Sequence, residues 1–288
     1  MDFFSFVKDK SNELNQFSSD MPETCIWELV EFCADMSKQD IILGNLNSSF
    51  DEKSFQTSFN ALIDRLKSGE PLQYITGRAY FRDIKLEVNN TVLIPRPETE
   101  MLVDIAKDYL QGKNIDTGSA RVGDICTGSG CIAISIASEM GSTVYATDIS
   151  NNCINLAKKN AAFNGVSENT HFLCGNLCEP LTHLEGTFDC VLSNPPYVPT
   201  SVFKSLKWTV KNFEPAIALK AGDDGCQYMA ELSSGAYRLL KPDGMFACEI
   251  FEENPDVFKG IIENVGFVNA EIVSDLTGRP RFVVAYKK

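Results

Sequence analysis

Asn194-Pro195-Pro196-Tyr197 stands directly after the apolar run Phe188–Ser193. A run of that kind that stops in two prolines reads as a buried strand ending in a rigid turn, since neither proline can donate to a ladder. The turn carries two acceptors. The Asn194 side-chain carbonyl is one, and the Pro195 main-chain carbonyl, aimed by two restricted φ angles, is the other, so together they can take both protons of a planar NH2 group. Tyr197 adds an aromatic face beside them. The implied chemistry is therefore on a flat amino group. A lone Asn-Pro-Pro is more often a plain loop turn; its place at a strand end, downstream of a glycine-rich loop, favours a site.

That loop is Asp124-Ile125-Cys126-Thr127-Gly128-Ser129-Gly130-Cys131-Ile132-Ala133. Gly128, Gly130 and Ala133 satisfy the dinucleotide fingerprint, and Asp148 ends the next strand at the right distance for ribose hydroxyls, so a nicotinamide enzyme is a rival reading. Asp124 speaks against it. A carboxylate just before the loop repels a pyrophosphate but suits a ligand bearing an ammonium and a sulfonium, as S-adenosylmethionine does. At the following strand end, Gly175-Asn176-Leu177 offers the Asn176 carbonyl oxygen to an adenine amine and Leu177 to the ring. Strand-end Asp and Asn are common caps when taken singly. In this order, on successive strand ends, they favour a methyltransferase over a nicotinamide enzyme or a non-catalytic scaffold.

The elements that must position these residues follow from the apolar pattern. Ile26, Leu29, Val30 and Cys33 recur at helical spacing behind a turn at Met21-Pro22-Glu23-Thr24, and Phe55, Phe59, Leu62 and Leu66 recur after a break at Ser48-Ser49-Phe50-Asp51, which predicts a helical bundle over residues 1–70. Residues 71–100 read as a hairpin linker, its turn at Asn89-Asn90 between Gly77–Val88 and Thr91–Ile94. From 101 to 288, strands near Arg121–Ile125, Thr143–Thr147, Thr170–Leu173, Phe188–Ser193 and Met245–Ile250 alternate with helices, the signature of a parallel α/β sheet. Val268–Val273 and Arg281–Tyr286 lie too close for a helical crossover and should pair antiparallel at one edge.

Composition narrows the class. The 288 residues carry a net charge of −13, which argues against gripping long nucleic acid through its phosphates and suits a basic protein partner. The first residues lack a signal-peptide core and no segment has the length of an apolar membrane span, so a cytoplasmic protein is expected. The ten cysteines are scattered without a Cys-x-x-Cys and read as reduced thiols. His171, Cys174 and Cys178 are the nearest approach to a metal cluster, but His171 and Cys174 point to opposite faces of a strand, and no metal site is expected.

Through Pro71–Gly77, Leu93-Ile94-Pro95-Arg96-Pro97-Glu98-Thr99-Glu100, Ser193–Pro199, Glu214–Leu219 and Asp275–Gly278 with Arg281, the chain resembles the PrmC/HemK family of protein-(glutamine-N5) methyltransferases, which modify peptide chain release factors. The resemblance covers nearly the whole chain. It implies a small N-terminal helical bundle, joined by a β-hairpin to a seven-stranded, Rossmann-like, class I methyltransferase domain, and a substrate glutamine in the Gly-Gly-Gln motif of a release factor. It also implies that Asp124, Thr127, Gly128, Ser129, Gly130, Asp148, Asn176, Leu177 and Asn194 surround S-adenosylmethionine, and later its product S-adenosylhomocysteine, while Asn194, Pro195, Pro196 and Tyr197 hold the glutamine amide. The alternative is an adenine-N6 nucleic-acid methyltransferase, which uses the same turn. Three departures from the family pattern stand out. Cys126 replaces the first glycine of the loop, which requires a negative φ there; Asn176 stands for a common aspartate; and Glu249–Asn254 lacks the usual glycine and glutamine, so it is given no catalytic role.

Overall fold

A computed structural model describes residues 2–14, 23–48 and 50–288. Met21 and Pro22 of the expected first turn, and Ser49 of the break, fall outside the described residues. The chain divides into two compact units, residues 1–77 and 78–288.

The first unit is helical: α1 Phe3–Leu14, α2 Glu23–Ala34, α3 Lys38–Leu43, α4 Glu52–Lys67 and α5 Leu72–Thr76. Apolar residues at helical spacing turn one stripe of each helix inward, so that Val7, Ile26, Leu29, Phe55, Phe59 and Ile63 share one core. Asp51 caps α4 by accepting from the Ser54 amide, and Arg65 and Lys67 in its last turn complement the helix dipole.

The second unit opens with a hairpin, β1 Arg78–Phe81 and β2 Ile84–Glu87, paired antiparallel. Its turn is Arg82-Asp83, not Asn89-Asn90 as the sequence suggested. Arg82 has a φ of +50°. Its left-handed backbone is held from outside: its amide donates to Glu100 Oε1, and its guanidinium pairs with Glu139 and Asp104. Asn89 makes a turn of its own, accepting from the Thr91 amide and hydroxyl, but residues 91–96 continue as irregular chain rather than as a strand. Asn160 ties this segment down. Its Oδ1 accepts from the Glu87 amide, and its Nδ2 donates to the carbonyls of Glu87 and Ser129.

After a short 3-10 turn at Pro97–Thr99 come α6 Glu100–Gly112, β3 Arg121–Ile125, α7 Cys131–Met140, β4 Thr143–Asp148, α8 Asn151–Phe163, β5 Thr170–Cys174 and β6 Phe188–Ser193. The chain continues through α9 Thr200–Ser205, α10 Trp208–Phe213, α11 Met229–Leu239, β7 Leu240–Glu249, α12 Pro255–Val265, β8 Val268–Ser274 and β9 Pro280–Tyr286. Seven strands form one sheet in the order β5-β4-β3-β6-β7-β9-β8. The first five are parallel, and β9 runs antiparallel between β7 and β8, the edge arrangement expected from the short link between the last two strands. The chain winds outward from β3 to β5 and then crosses back to β6. This reversal leaves a crevice at the carboxyl ends of the parallel strands, where open α/β sheets take their ligands. Packing against the sheet is dense: Ile125, Phe188, Val191, Phe246 and Phe258 are fully buried in a single cluster.

Candidate active site

A cleft of about 1040 Å³, mouth included, opens at that reversal. The glycine loop leaves β3 and enters α7 along one side, and three bonds fix its course. Thr127 donates its amide to the Thr147 carbonyl at 2.9 Å, the Gly128 amide reaches Asp148 Oδ2 at 2.9 Å, and the Thr127 hydroxyl reaches Asp124 Oδ2 at 2.6 Å. Gly128 has a φ of +55°, and a Cβ there would project into open space, so its backbone is bare toward a ligand. Gly130, at +86°, is required for another reason: a Cβ would stand 3.0 Å from Ile134 and 3.1 Å from Ala157.

Cys126 has a φ of +65°, which overturns the expectation of a negative one. The loop needs the same left-handed turn whether glycine or cysteine occupies it. Cysteine accepts it under strain. Leu177 is likewise left-handed, at +42°, and its carbonyl is held by the Thr147 hydroxyl at 2.7 Å.

The cleft is lined by Thr127, Gly128, Ser129, Asp148, Asn176, Leu177, Asn194 and Pro196. Asp124, Gly130, Pro195 and Tyr197 stand behind this lining. Asp124 lies under the loop, fully buried, holding Thr127 and the Ala133 amide with one oxygen while Oδ1 has no hydrogen-bond partner among the described residues. Burial pushes its carboxyl up to about 7, with the charge of Asp148 adding to the effect. Burial raises Asp148 as well, although the amides of Ser150 and Gly128 favour its charge. Of the two, Asp148 is the one at the cleft wall, where its carboxylate suits a ligand that presents hydroxyls or positive charge. Arg96 also lines the cleft, but Glu214 takes its Nη2 at 2.6 Å. Among the described residues no group of three or more His, Cys, Asp or Glu is arranged to hold a metal ion.

Just past the end of β5, Asn176 donates Nδ2 to Glu231 Oε1 at 2.7 Å. An ionised carboxylate can only accept, so the amide nitrogen is committed outward and the carbonyl oxygen is left for the cleft. At the far end, Asn194 donates Nδ2 to the Thr99 hydroxyl at 3.0 Å, and its Oδ1 accepts no bond from the described residues. The Pro195 carbonyl accepts no main-chain bond among the described residues. Tyr197 donates its hydroxyl to Glu249 Oε1 at 2.7 Å, so it is pinned rather than swinging.

Sequence reasoning missed Thr99 and Glu249. Thr99 lies inside the Pro95–Glu100 stretch, of which Pro95, Arg96 and Thr99 line the cleft together with Thr91–Leu93, in place of the expected second hairpin strand. Glu249 had a signal that was passed over: an acid within the apolar run Met245–Ile250 must be buried, and a buried acid must be partnered.

Two family models match the chain, the PrmC N-terminal domain over residues 7–77 and the Methyltransferase small domain over residues 100–212. A release factor glutamine methyltransferase of Gloeobacter violaceus is 39% identical over 224 residues, which cover 77% of this chain and 76% of that one. The chain belongs to the release factor glutamine methyltransferase family. Another member, from Thermodesulfovibrio yellowstonii, is 36% identical and covers 80% of this chain and 81% of its own. Beyond the family, the fold is shared with the hMettl16 catalytic domain solved in complex with a MAT2A 3′UTR hairpin, at a TM-score of 0.56 and 19% identity over 70% of this chain and 74% of that one. Among the described residues no helix is long and apolar enough to cross a membrane.

Proposed function

We propose that this protein transfers the methyl group of S-adenosylmethionine to the side-chain amide nitrogen of the glutamine in the Gly-Gly-Gln motif of a peptide chain release factor. The observation that carries the reading is the free carbonyl oxygen of Asn194 facing the cleft, in a chain of this family. S-adenosylmethionine supplies an electrophilic methyl on a sulfonium. The chain supplies the place and the alignment: Thr127, Gly128, Ser129 and Asp148 hold the amino-acid and ribose end, and Asn176 and Leu177 hold the adenine.

An amide nitrogen is a poor nucleophile because its lone pair is delocalised into the carbonyl. Two acceptors, on Asn194 and Pro195, hold both protons of the NH2 and leave the nitrogen face presented to the methyl. Most of the gain is positioning, which reaches about 7–11 kcal/mol in favourable cases. No side chain need act as general base, since a methylated amide nitrogen loses its proton readily to solvent. A glutamate is refused because its oxygens would face buried acceptors and leave them unpaired.

The helical unit is assigned the docking of the release factor, the catalytic unit its methylation, and the cytoplasm the location of both. The same turn serves adenine-N6 methyltransferases, and the family to which the chain belongs favours the protein substrate. Incubation with labelled S-adenosylmethionine and a bacterial release factor, beside a Gly-Gly-Glu variant and a duplex DNA, tests the reading. Label on the loop glutamine alone supports it, and label on DNA, or on none, overturns it.

A further inference from the structure

Two adjoining hydrogen bonds decide which way the Asn194 amide faces. Glu249, at the end of β7, is 1% exposed and has both oxygens occupied: Oε1 by the Tyr197 hydroxyl and Oε2 by the Thr99 hydroxyl, each at 2.7 Å. A hydroxyl has one proton. Thr99 gives its proton to Glu249, so toward Asn194 its oxygen can only accept. Asn194 must therefore turn Nδ2 to Thr99, at 3.0 Å, and Oδ1 to the cleft. The two ends of an amide have nearly the same size, so packing alone does not choose between its two orientations. The acceptor chain does.

We infer that Thr99 and Glu249 are positioning residues that make the Asn194 turn select a neutral NH2 over a carboxylate. This rests on the glutamine reading above. With Nδ2 anchored, an incoming NH2 finds an acceptor, and a carboxylate meets lone pair against lone pair. With the amide turned over, Nδ2 would face the cleft and the preference would invert. The relay depends on Glu249 being ionised. Burial raises the Glu249 carboxyl above its ordinary value; the Tyr197 and Thr99 hydroxyls and the positive charge of Arg281 work against that rise, and Arg281 is itself fixed by Glu252 at 3.0 Å and Asp275 at 3.2 Å. The relay joins three separate stretches of the second unit: the Pro97–Thr99 turn, the end of β6 and the end of β7.

Thr99→Val keeps the shape and removes both the donor and the acceptor, Thr99→Ser restores them, and Glu249→Gln replaces one acceptor oxygen with a donor. Asn194→Ala is the reference. Turnover on the release factor should fall on the order of 10–100-fold in Thr99→Val and Glu249→Gln, as for loss of a preorganised polar group, through kcat rather than KM. Thr99→Ser should recover most of it. Affinity for S-adenosylhomocysteine, measured by calorimetry, should not change, which separates the relay from misfolding. The Gly-Gly-Glu release factor, inert toward the wild type, should inhibit Thr99→Val and Glu249→Gln. Independently of any substrate, the side-chain amide protons of Asn194, followed by NMR hydrogen exchange, should be protected in the wild type and in Thr99→Ser and exposed in Thr99→Val. Equal exchange and equal turnover in Thr99→Val and wild type would overturn the relay. If the wild type labels no glutamine, the functional reading fails, and the exchange experiment still decides the relay.

Discussion

Replacing Asp124 with asparagine should stabilise the protein at neutral pH and flatten its pH dependence. The side chain is fully buried, one of its oxygens has no partner, and burial pushes its carboxyl from an ordinary 3.8 up to about 7. Between those two values the folded chain binds more protons than the unfolded one, so stability falls as pH rises. The slope is about 1.4 kcal/mol per pH unit well below the folded-state value and about half that at pH 7, so the two units from pH 5 to pH 7 remove about 2 kcal/mol. Asparagine does not titrate. Its carbonyl can still accept from the Thr127 hydroxyl and the Ala133 amide, which preserves the loop. Urea unfolding of both proteins at pH 5, 6, 7 and 8 measures the effect, because groups remote from position 124, such as Glu249, titrate in both and cancel in the difference. The stability gap between variant and wild type should widen in favour of the variant by that amount from pH 5 to pH 7 and level off above. Parallel profiles would refute the reasoning and mean that Asp124 is stabilised by a contact other than those described.

Asp148→Ala should weaken S-adenosylhomocysteine binding by about 10- to 100-fold in calorimetry, since it removes an acceptor from the cleft and strands the Gly128 amide. At Cys126, glycine should be more stable than alanine by about 1 kcal/mol in urea unfolding, the reverse of the usual order, because the φ of +65° penalises any Cβ. Asn160→Ala should cost about 2–4 kcal/mol by the same measurement, as it leaves the Glu87 amide and the carbonyls of Glu87 and Ser129 without their partner.

The parallel strands were legible because each is a short apolar run stopped by a residue that does something else: Asp148, or the prolines after Asn194. The antiparallel end was legible from the shortness of one connection. The hairpin turn was not. Arg82-Asp83 has no glycine or asparagine at its left-handed position, and Arg82 is held there by Glu100, Glu139 and Asp104, partners 18 to 57 residues away, whereas Asn89-Asn90 advertises a turn that leads into no strand. The sign of φ at Cys126 could not be read either, since residue identity argues against the conformation that the loop imposes. In the site, the residues that face a ligand were readable by type and order. Those that orient them were not, because a hydrogen bond such as Thr99 to Glu249 spans 150 residues and leaves no local pattern.

That separation also sets an order of assembly. The strands that lead to the glycine loop, Asp148 and Asn176 have all been made by Cys174, whereas the Asn194 amide has no fixed direction until Glu249 is in place, inserted between neighbours on β6 and β9. Contacts so distant along the chain close late, because the loop entropy must be overcome first. On the reading proposed above, a chain emerging during its own synthesis completes the strands that lead to Asp148 and Asn176 before the strand that fixes the Asn194 amide, so the orientation of that amide is the last feature of the cleft to be set.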